Sequence, residues 1–346
     1  MTETGSFAHL PSRRAAVRAG LAMGLSGLLL PAVNACTPDD RGRTVTVAGG
    51  EPGGFYLEFS TLLAESLERH EVVGTAVPQV TGGSLENIQR LLAGDATFAV
   101  SLADAAAQQA AAPASPATAP PSGAGGIVAL GKVYENYVHC LVRKDSGIRT
   151  FADLAGKTAA IGEVGSGTSL TAHRIITASG LSATVNGAGN TASNNPLREV
   201  NFGLNDGLAA LRAGSVDALF WSGGVPTAAI TAVNKEVGLA LIDLSAQVRV
   251  TRARYGGFYD RVLIPENSYE GIPGSWTVGV ANLLLCREDL DHRIVKRTVE
   301  LLVGQARELI PRSSLGVQFL SPETLINTVG VPLHPAAAAA YRDLHG

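Results

Sequence analysis

Apolar residues recur along this chain in two alternating rhythms. Residues 44–48 (TVTVA) form a short apolar, β-branched run ending in Gly49-Gly50, the pattern of a buried strand entering a glycine turn. Phe59, Leu62, Leu63 and Leu67 then keep helical spacing, which predicts a helix over 55–69. A strand over 72–80 comes next, followed by a helix opened by Thr81-Gly-Gly-Ser84 with Ser84 as its N-cap, and a strand over 97–102. This alternation predicts βαβ units, hence a parallel sheet with helices on its faces.

The rhythm stops at residue 105. From 105 to 131 no residue is charged or aromatic, and the middle reads AAAPASPATAPPSGAGG. Pro113 and Pro116 deny its alanines a continuous helix, so 105–126 is expected to be a flexible insertion of polyproline character. Strand patterns resume at 127–130 and again at 137–142, and a second α/β series follows. It holds a helical turn at 151–156, a strand at 158–161, a glycine turn at 165–169 and a helix ending near Gly180. A helix at 206–213, a strand at 216–221, a helix at 226–233 and a strand at 239–244 continue it. A long β-rich run at 277–285 and a helix at 291–310 close the pattern.

Length and composition sharpen this. The 346 residues suffice for roughly two domains, and 46% hydrophobic with 16% charged residues is a globular balance. Forty glycines against 5% aromatics imply tight turns in which backbone does the contacting.

Residues 1–36 read as an export signal: Arg13, Arg14 and Arg18 precede an uncharged stretch over 19–35 that ends at Val33-Asn34-Ala35-Cys36. That ending resembles a lipobox, after which Cys36 would carry lipid. Asn34 departs from the usual small or β-branched residue, so cleavage of an unlipidated signal nearby stays open. The paired arginines leave general and twin-arginine export equally open. A transmembrane anchor is the weaker reading, because seventeen glycine-interrupted residues fall short of a span of about 20. Three basic residues and one acidic one lie in 1–35, leaving 24 basic against 29 acidic and a net charge of −5. Without a basic patch, nucleic acid is excluded as a partner.

Cys140 and Cys286 each sit in an apolar β-rich run with no metal spacing. They either bridge in an oxidising compartment or stay reduced and buried. His139, His173 and His334 share no ligand spacing, so no metal or cofactor is expected. Arg174, Arg198, Arg252 and Arg254 fit surface solvation as well as an anion.

Three turns carry candidate chemistry. Gly49-Gly-Glu-Pro-Gly-Gly-Phe-Tyr56 lies between a strand and a helix, where backbone amides approach an anion at a positive helix start. It has no Walker lysine and no dinucleotide spacing. Gly165-Ser-Gly-Thr-Ser169 adds hydroxyls to the same arrangement, although helix capping alone would account for them. It is not G-x-S-x-G, so no nucleophile elbow is indicated. Trp221-Ser-Gly-Gly-Val-Pro226 leaves a strand end into another helix, the place where open α/β sheets bind ligands, while Trp221 would serve equally as core.

At these residues the chain resembles the TAXI family of solute receptors that serve tripartite ATP-independent periplasmic (TRAP) transporters. The resemblance runs from Thr44 to the C-terminus through GGEPGGFYLEFSTLLAESL, TGGSLENIQRLLAGDATFAVSLAD, DSGIRTFADLAGKTAAIGEVGSGT, DALFWSGGVPTAAI and GVPLHPAAAAAYRDLHG. It implies an α/β, two-lobed fold like type II periplasmic binding proteins, with a hinge between lobes. Residues 37–138 and 287–346 would form lobe I and 139–286 lobe II, bringing Cys140 and Cys286 close together at the hinge strands. It also implies a cleft holding a small anionic carboxylate of the glutamate, glutamine or 2-oxoglutarate type. Its residues would be Gly53, Gly54, Phe55, Tyr56, Gly83, Ser84, Ser166, Gly167, Thr168, Gly223 and Gly224. Phe55 stands where many members have a second tyrosine, and the alanine-proline insertion is foreign to the family.

The expectation is therefore a monomeric, exported and lipid-anchored receptor, in the periplasm or on the outer face of the membrane. It would pass a small anionic solute to a TRAP permease and use no cofactor. A lipoprotein that presents solute to a membrane kinase is a second reading. An enzyme on the same scaffold is a third, for which the chain offers no nucleophile elbow, metal cluster or nucleotide loop.

Overall fold

Two long antiparallel strands organise the structure, a computed structural model. The described residues are 43–111, 126–182, 195–312, 314 and 321–345, all within the compact unit 40–346. The export signal, Cys36 and residues 112–125 of the expected insertion lie outside them. Strand β1 (Thr44–Ala48) leads into helix α1 (Phe55–Arg69), strand β2 (Thr75–Gln79), helix α2 (Ser84–Ala93) and strand β3 (Phe98–Leu102). β1 pairs in parallel with both β2 and β3, as the βαβ pattern predicts. Helix α3 (Ala103–Ala111) follows at once.

Residues 105–111 are thus helical rather than part of a flexible insertion. Alanine is the best helix former and Asp104 sits in the first turn, so the helix runs until Pro113 is near.

The strands expected at 127–130 and 137–142 are one 17-residue strand, β4 (Ile127–Arg143). Its polar middle stays in the sheet because Lys132 and Glu135 pair at 2.9 Å. The second series supplies β5 (Thr158–Ala160), α4 (Gly167–Ala178), β6 (Arg198–Val200), α5 (Leu204–Ala213), β7 (Ala218–Gly223), α6 (Ala228–Val237) and β8 (Leu239–Leu241). Helix α7 (Ser245–Tyr255) and strand β9 (Tyr259–Ile264), absent from the sequence reading, lead to the second long strand, β10 (Ser275–Arg287). Helices α8 (His292–Gly304), α9 (Pro322–Leu325) and α10 (Pro335–His345) finish the chain.

All ten strands join one hydrogen-bonded sheet, ordered β2-β1-β3-β10-β4-β7-β5-β6, with β8 on β4 and β9 on β10. It is continuous because β4 and β10 serve both ends. β10 pairs β9 over residues 275–280 and β3 over 282–285. β4 pairs β10 over 127–137 and β7 over 137–142.

Phe59, Leu63 and Leu67 of α1 and Val295, Val299 and Leu302 of α8 bury one face of the first half with Tyr341 of α10. Each such side chain contributes roughly 1.5–3 kcal/mol. Leu204, Leu208, Leu211 and Ile230 bury one face of the second half. A third core runs under both, from Ile88 to Phe220 and Val280.

The same register separates the cysteines. Cys286 lies opposite Val128, whereas Cys140 lies opposite Phe220 on β7. Val128 and Cys140 are twelve positions apart on β4, roughly 40 Å at about 3.3 Å per residue. A bond needs Cα atoms within about 7 Å, so the expected proximity does not occur. Both thiols are free and buried, and burial pushes both well above the usual range.

His139 is fully buried on β4. Its Nδ1–H donates to the Tyr137 carbonyl, and its Nε2 accepts from the Tyr269 hydroxyl, both at 2.9 Å. That hydroxyl also accepts the Thr227 N–H at 2.9 Å, which fixes the neutral tautomer. Burial pulls the imidazole down to about 4 from 6.5. A depressed histidine favours the folded state above its unfolded value, and that contribution is lost as pH falls from 6.5 towards 4. Acidification across this window is expected to remove up to about 3 kcal/mol. His139→Gln should flatten that part of a denaturant-melt pH profile; an unchanged slope would assign it to other groups.

Candidate functional site

The sequence starts helices at glycine turns, and three of those starts meet. Helix α1 begins after Gly54, α2 after Gly83 and α4 after Ser166, and all three residues line one cleft between the two halves. The cleft is narrow, with about 30 Å³ of room for the centres of water-sized molecules. Gly54 and Gly83 offer no side-chain cap, so the first amides of α1 and α2 are not occupied by their own N-caps. Ser84 is therefore the first residue of α2 and not its N-cap; Gly83 holds that place at φ +109°, a conformation few other residues adopt.

Freed from capping, the Ser84 hydroxyl accepts the Leu102 N–H at 3.1 Å and contacts the Tyr56 hydroxyl at 3.1 Å. The Tyr56 hydroxyl donates to Asn282 Oδ1 at 2.6 Å. Burial pushes the Tyr56 phenol far above its usual range, so it remains a protonated donor.

On the opposite wall, Ser166 Oγ caps α4 by accepting the Ser169 N–H at 3.0 Å. Thr168 Oγ1 accepts the Ser222 N–H at 3.1 Å. Both hydroxyl oxygens thus have structural tasks, and each keeps one proton to donate. The Gly167 and Thr168 N–H groups, at the first two helical positions, have no intrahelical acceptor.

Nine residues singled out in the sequence fall on this cleft: Gly54, Phe55, Tyr56, Gly83, Ser84, Ser166, Gly167, Thr168 and Gly223. Gly53 and Gly224 do not. Gly53 lines a neighbouring groove beside Leu57 and Leu62. Gly224 lies under the Phe55 ring, which a Cβ there would meet at 2.3 Å. The lining also includes Glu51, Trp221 and Ser222, which lie in the turns singled out in the sequence, and Leu102 and Asn136, which the sequence reading left out. Asn136 lies unmarked in the polar middle of β4.

The lining contains no lysine or arginine. Its one acid, Glu51, accepts the Leu204 N–H at the start of α5 across the cleft at 3.0 Å. Burial lifts the Glu51 carboxyl, Leu204 opposes that, and Glu163 and Asp206 add to it.

The halves also meet elsewhere. The Leu85 N–H donates to the Gly165 carbonyl at 3.1 Å. Asp104 of α3, fully buried, accepts from Arg174 at 2.9 Å, Tyr259 at 2.8 Å and Thr171 at 3.3 Å. These bonds link the two α/β series beside the cleft.

The chain is similar to several solved proteins. Against the periplasmic binding protein BugD it has 15% identity and a TM-score of 0.51, covering 87% of this chain and 95% of that one. Against the periplasmic aliphatic sulphonate binding protein SsuA from Escherichia coli the values are 16%, 0.44, 87% and 83%. Against the alkanesulfonate-binding protein SsuA from Xanthomonas axonopodis pv. citri they are 17%, 0.42, 87% and 83%. The likeness to BugD identifies the fold as the two-lobed α/β fold of periplasmic binding proteins. The model of the NMT1-like family matches residues 47–344.

Proposed function

Because the chain belongs to the NMT1-like family, we propose that it is an extracytoplasmic receptor that closes over a small solute bearing a carboxylate and delivers it to a membrane permease. The observation that carries this reading is the convergence of three helix N-termini on a cleft whose lining has no cationic side chain. Each N-terminus acts as roughly half a positive charge, so together they suit one anionic group. The Gly167 and Thr168 amides are the central donors, with the Ser166 and Thr168 hydroxyls around them.

The lobes divide near residue 138 on β4. The return to the first lobe lies on β10, with residues 287–346 in lobe I and 139–286 in lobe II. Residues 1–36 act as the export signal, with Cys36 as the lipid attachment. The TAXI resemblance assigns the permease to the TRAP class. The chain acts as a receptor, not as an enzyme.

Thermal unfolding tests the reading directly. L-Glutamate, L-glutamine or a related 2-substituted carboxylate at about 100 times its dissociation constant should add about 2.7 kcal/mol of stability. A broad carboxylate panel without any shift would overturn the carboxylate assignment.

A further inference from the structure

We infer that Asn136 selects solutes carrying a hydrogen-bond donor on the carbon beside the carboxylate, a 2-amino or 2-hydroxy acid in preference to a 2-oxo acid. The inference rests on the carboxylate-receptor reading and narrows it.

Asn136 is 1% exposed and lines the cleft. Its amide orientation is fixed, because Nδ2 lies 3.1 Å from the Ser222 carbonyl, which can only accept, and 3.3 Å from Ser222 Oγ. Oδ1 is therefore the other atom of the amide, and it is buried without a hydrogen-bond partner. A buried carbonyl oxygen left without a donor costs about 1–3 kcal/mol. A site that retains such an acceptor in its lining is matched to a donor that arrives with the ligand.

Connectivity locates that donor. Ser222 receives Asn136 Nδ2 on its carbonyl and gives its own N–H to Thr168 Oγ1 at 3.1 Å. A single residue thus links the unpartnered oxygen to the helix start where the carboxylate sits. The group that meets Oδ1 belongs on the adjacent carbon of the solute. An ammonium or a hydroxyl satisfies it; a keto oxygen places two acceptors face to face. Glu51, the only charged side chain of the lining, adds a second acceptor and no cation.

The test titrates the full mature chain with L-glutamate, 2-hydroxyglutarate and 2-oxoglutarate, which differ only at that carbon. The amino or hydroxy acid should bind about 5- to 150-fold more tightly than the oxo acid. Asn136→Leu, which keeps the branching at Cγ but removes the acceptor, should bring the three affinities within about threefold of one another. Asn136→Asp, which keeps an acceptor, should retain the ranking. A merely structural role at Ser222 would weaken all three solutes equally in both variants, and that result would overturn the inference while leaving the receptor reading intact. Equal binding of the three by the wild type, or a preference that survives in Asn136→Leu, would do the same. Binding of none would overturn the carboxylate reading and the inference with it.

Discussion

Arg174→Leu is expected to destabilise the closed protein by about 3–5 kcal/mol. Asp104 is fully buried, and Arg174 is its one cationic partner among the described residues. Without the guanidinium its charge would keep only two hydroxyls, those of Tyr259 and Thr171. Stranding one member of a buried pair costs far more than the intact pair contributes, because desolvation of the remaining charge is no longer offset. Burial works against the charged Arg174, but Asp104 and Tyr259 outweigh it and hold its pKa above the ordinary value. Replacing both charges, as Asp104→Leu with Arg174→Leu, should recover most of the loss. Since Asp104 lies on α3, which closes the first α/β series, and Arg174 on α4 of the second, part of the effect should appear as opening. Denaturant melts of the single and double variants, with small-angle scattering for the open fraction, are the measurements. A single variant within 1 kcal/mol of wild type would show that water already screens the pair.

Gly167→Ala should act on closure with little effect on folding. A Cβ at 167 would stand 2.4 Å from Ser84 Oγ and 2.7 Å from Leu102 Cδ1, both in the first α/β series across the cleft. Leu102 is 1% exposed and cannot retreat. Overpacking of this kind costs about 1–3 kcal/mol, here paid only when the lobes meet, so affinity should fall roughly 5- to 150-fold. Thermal unfolding without solute should shift little, and scattering should report a larger radius. Unchanged affinity for the best-binding carboxylate would mean that the bound state is more open than the structure described above.

The first half of the fold is legible because its signals are local. In α1, Phe59, Leu63 and Leu67 keep helical spacing, and β1 and β3 are short apolar runs bounded by turns. β4 is not legible as one strand, because Lys132, Glu135 and Asn136 interrupt its apolar pattern and look like a loop. What retains them is long-range: Asn136 reaches Ser222, and Lys132 and Glu135 neutralise each other. Helix α7 has little apolar stripe, only Val248 and Thr251 being buried, so periodicity could not find it. The cleft divides in the same way. Its glycine and hydroxyl turns announce themselves as helix starts, whereas Asn136 becomes a site residue, and Asn282 the acceptor of the Tyr56 hydroxyl, only when β4 and β10 align. The cysteine placement failed for that reason too, since register is a property of pairing and not of either strand alone.

The passage of β4 unbroken through both lobes also bears on how the cleft opens. A linker of loop residues swings freely, but a 17-residue strand laddered end to end, with β10 over 127–137 and with β7 over 137–142, can yield only by bending and twisting against its ladders. β10 adds a second such beam beside it. The two lobes are thus joined by an elastic flexure: its restoring force opposes wide opening, favours a narrow spread of angles and returns the empty receptor towards the geometry in which solute is caught.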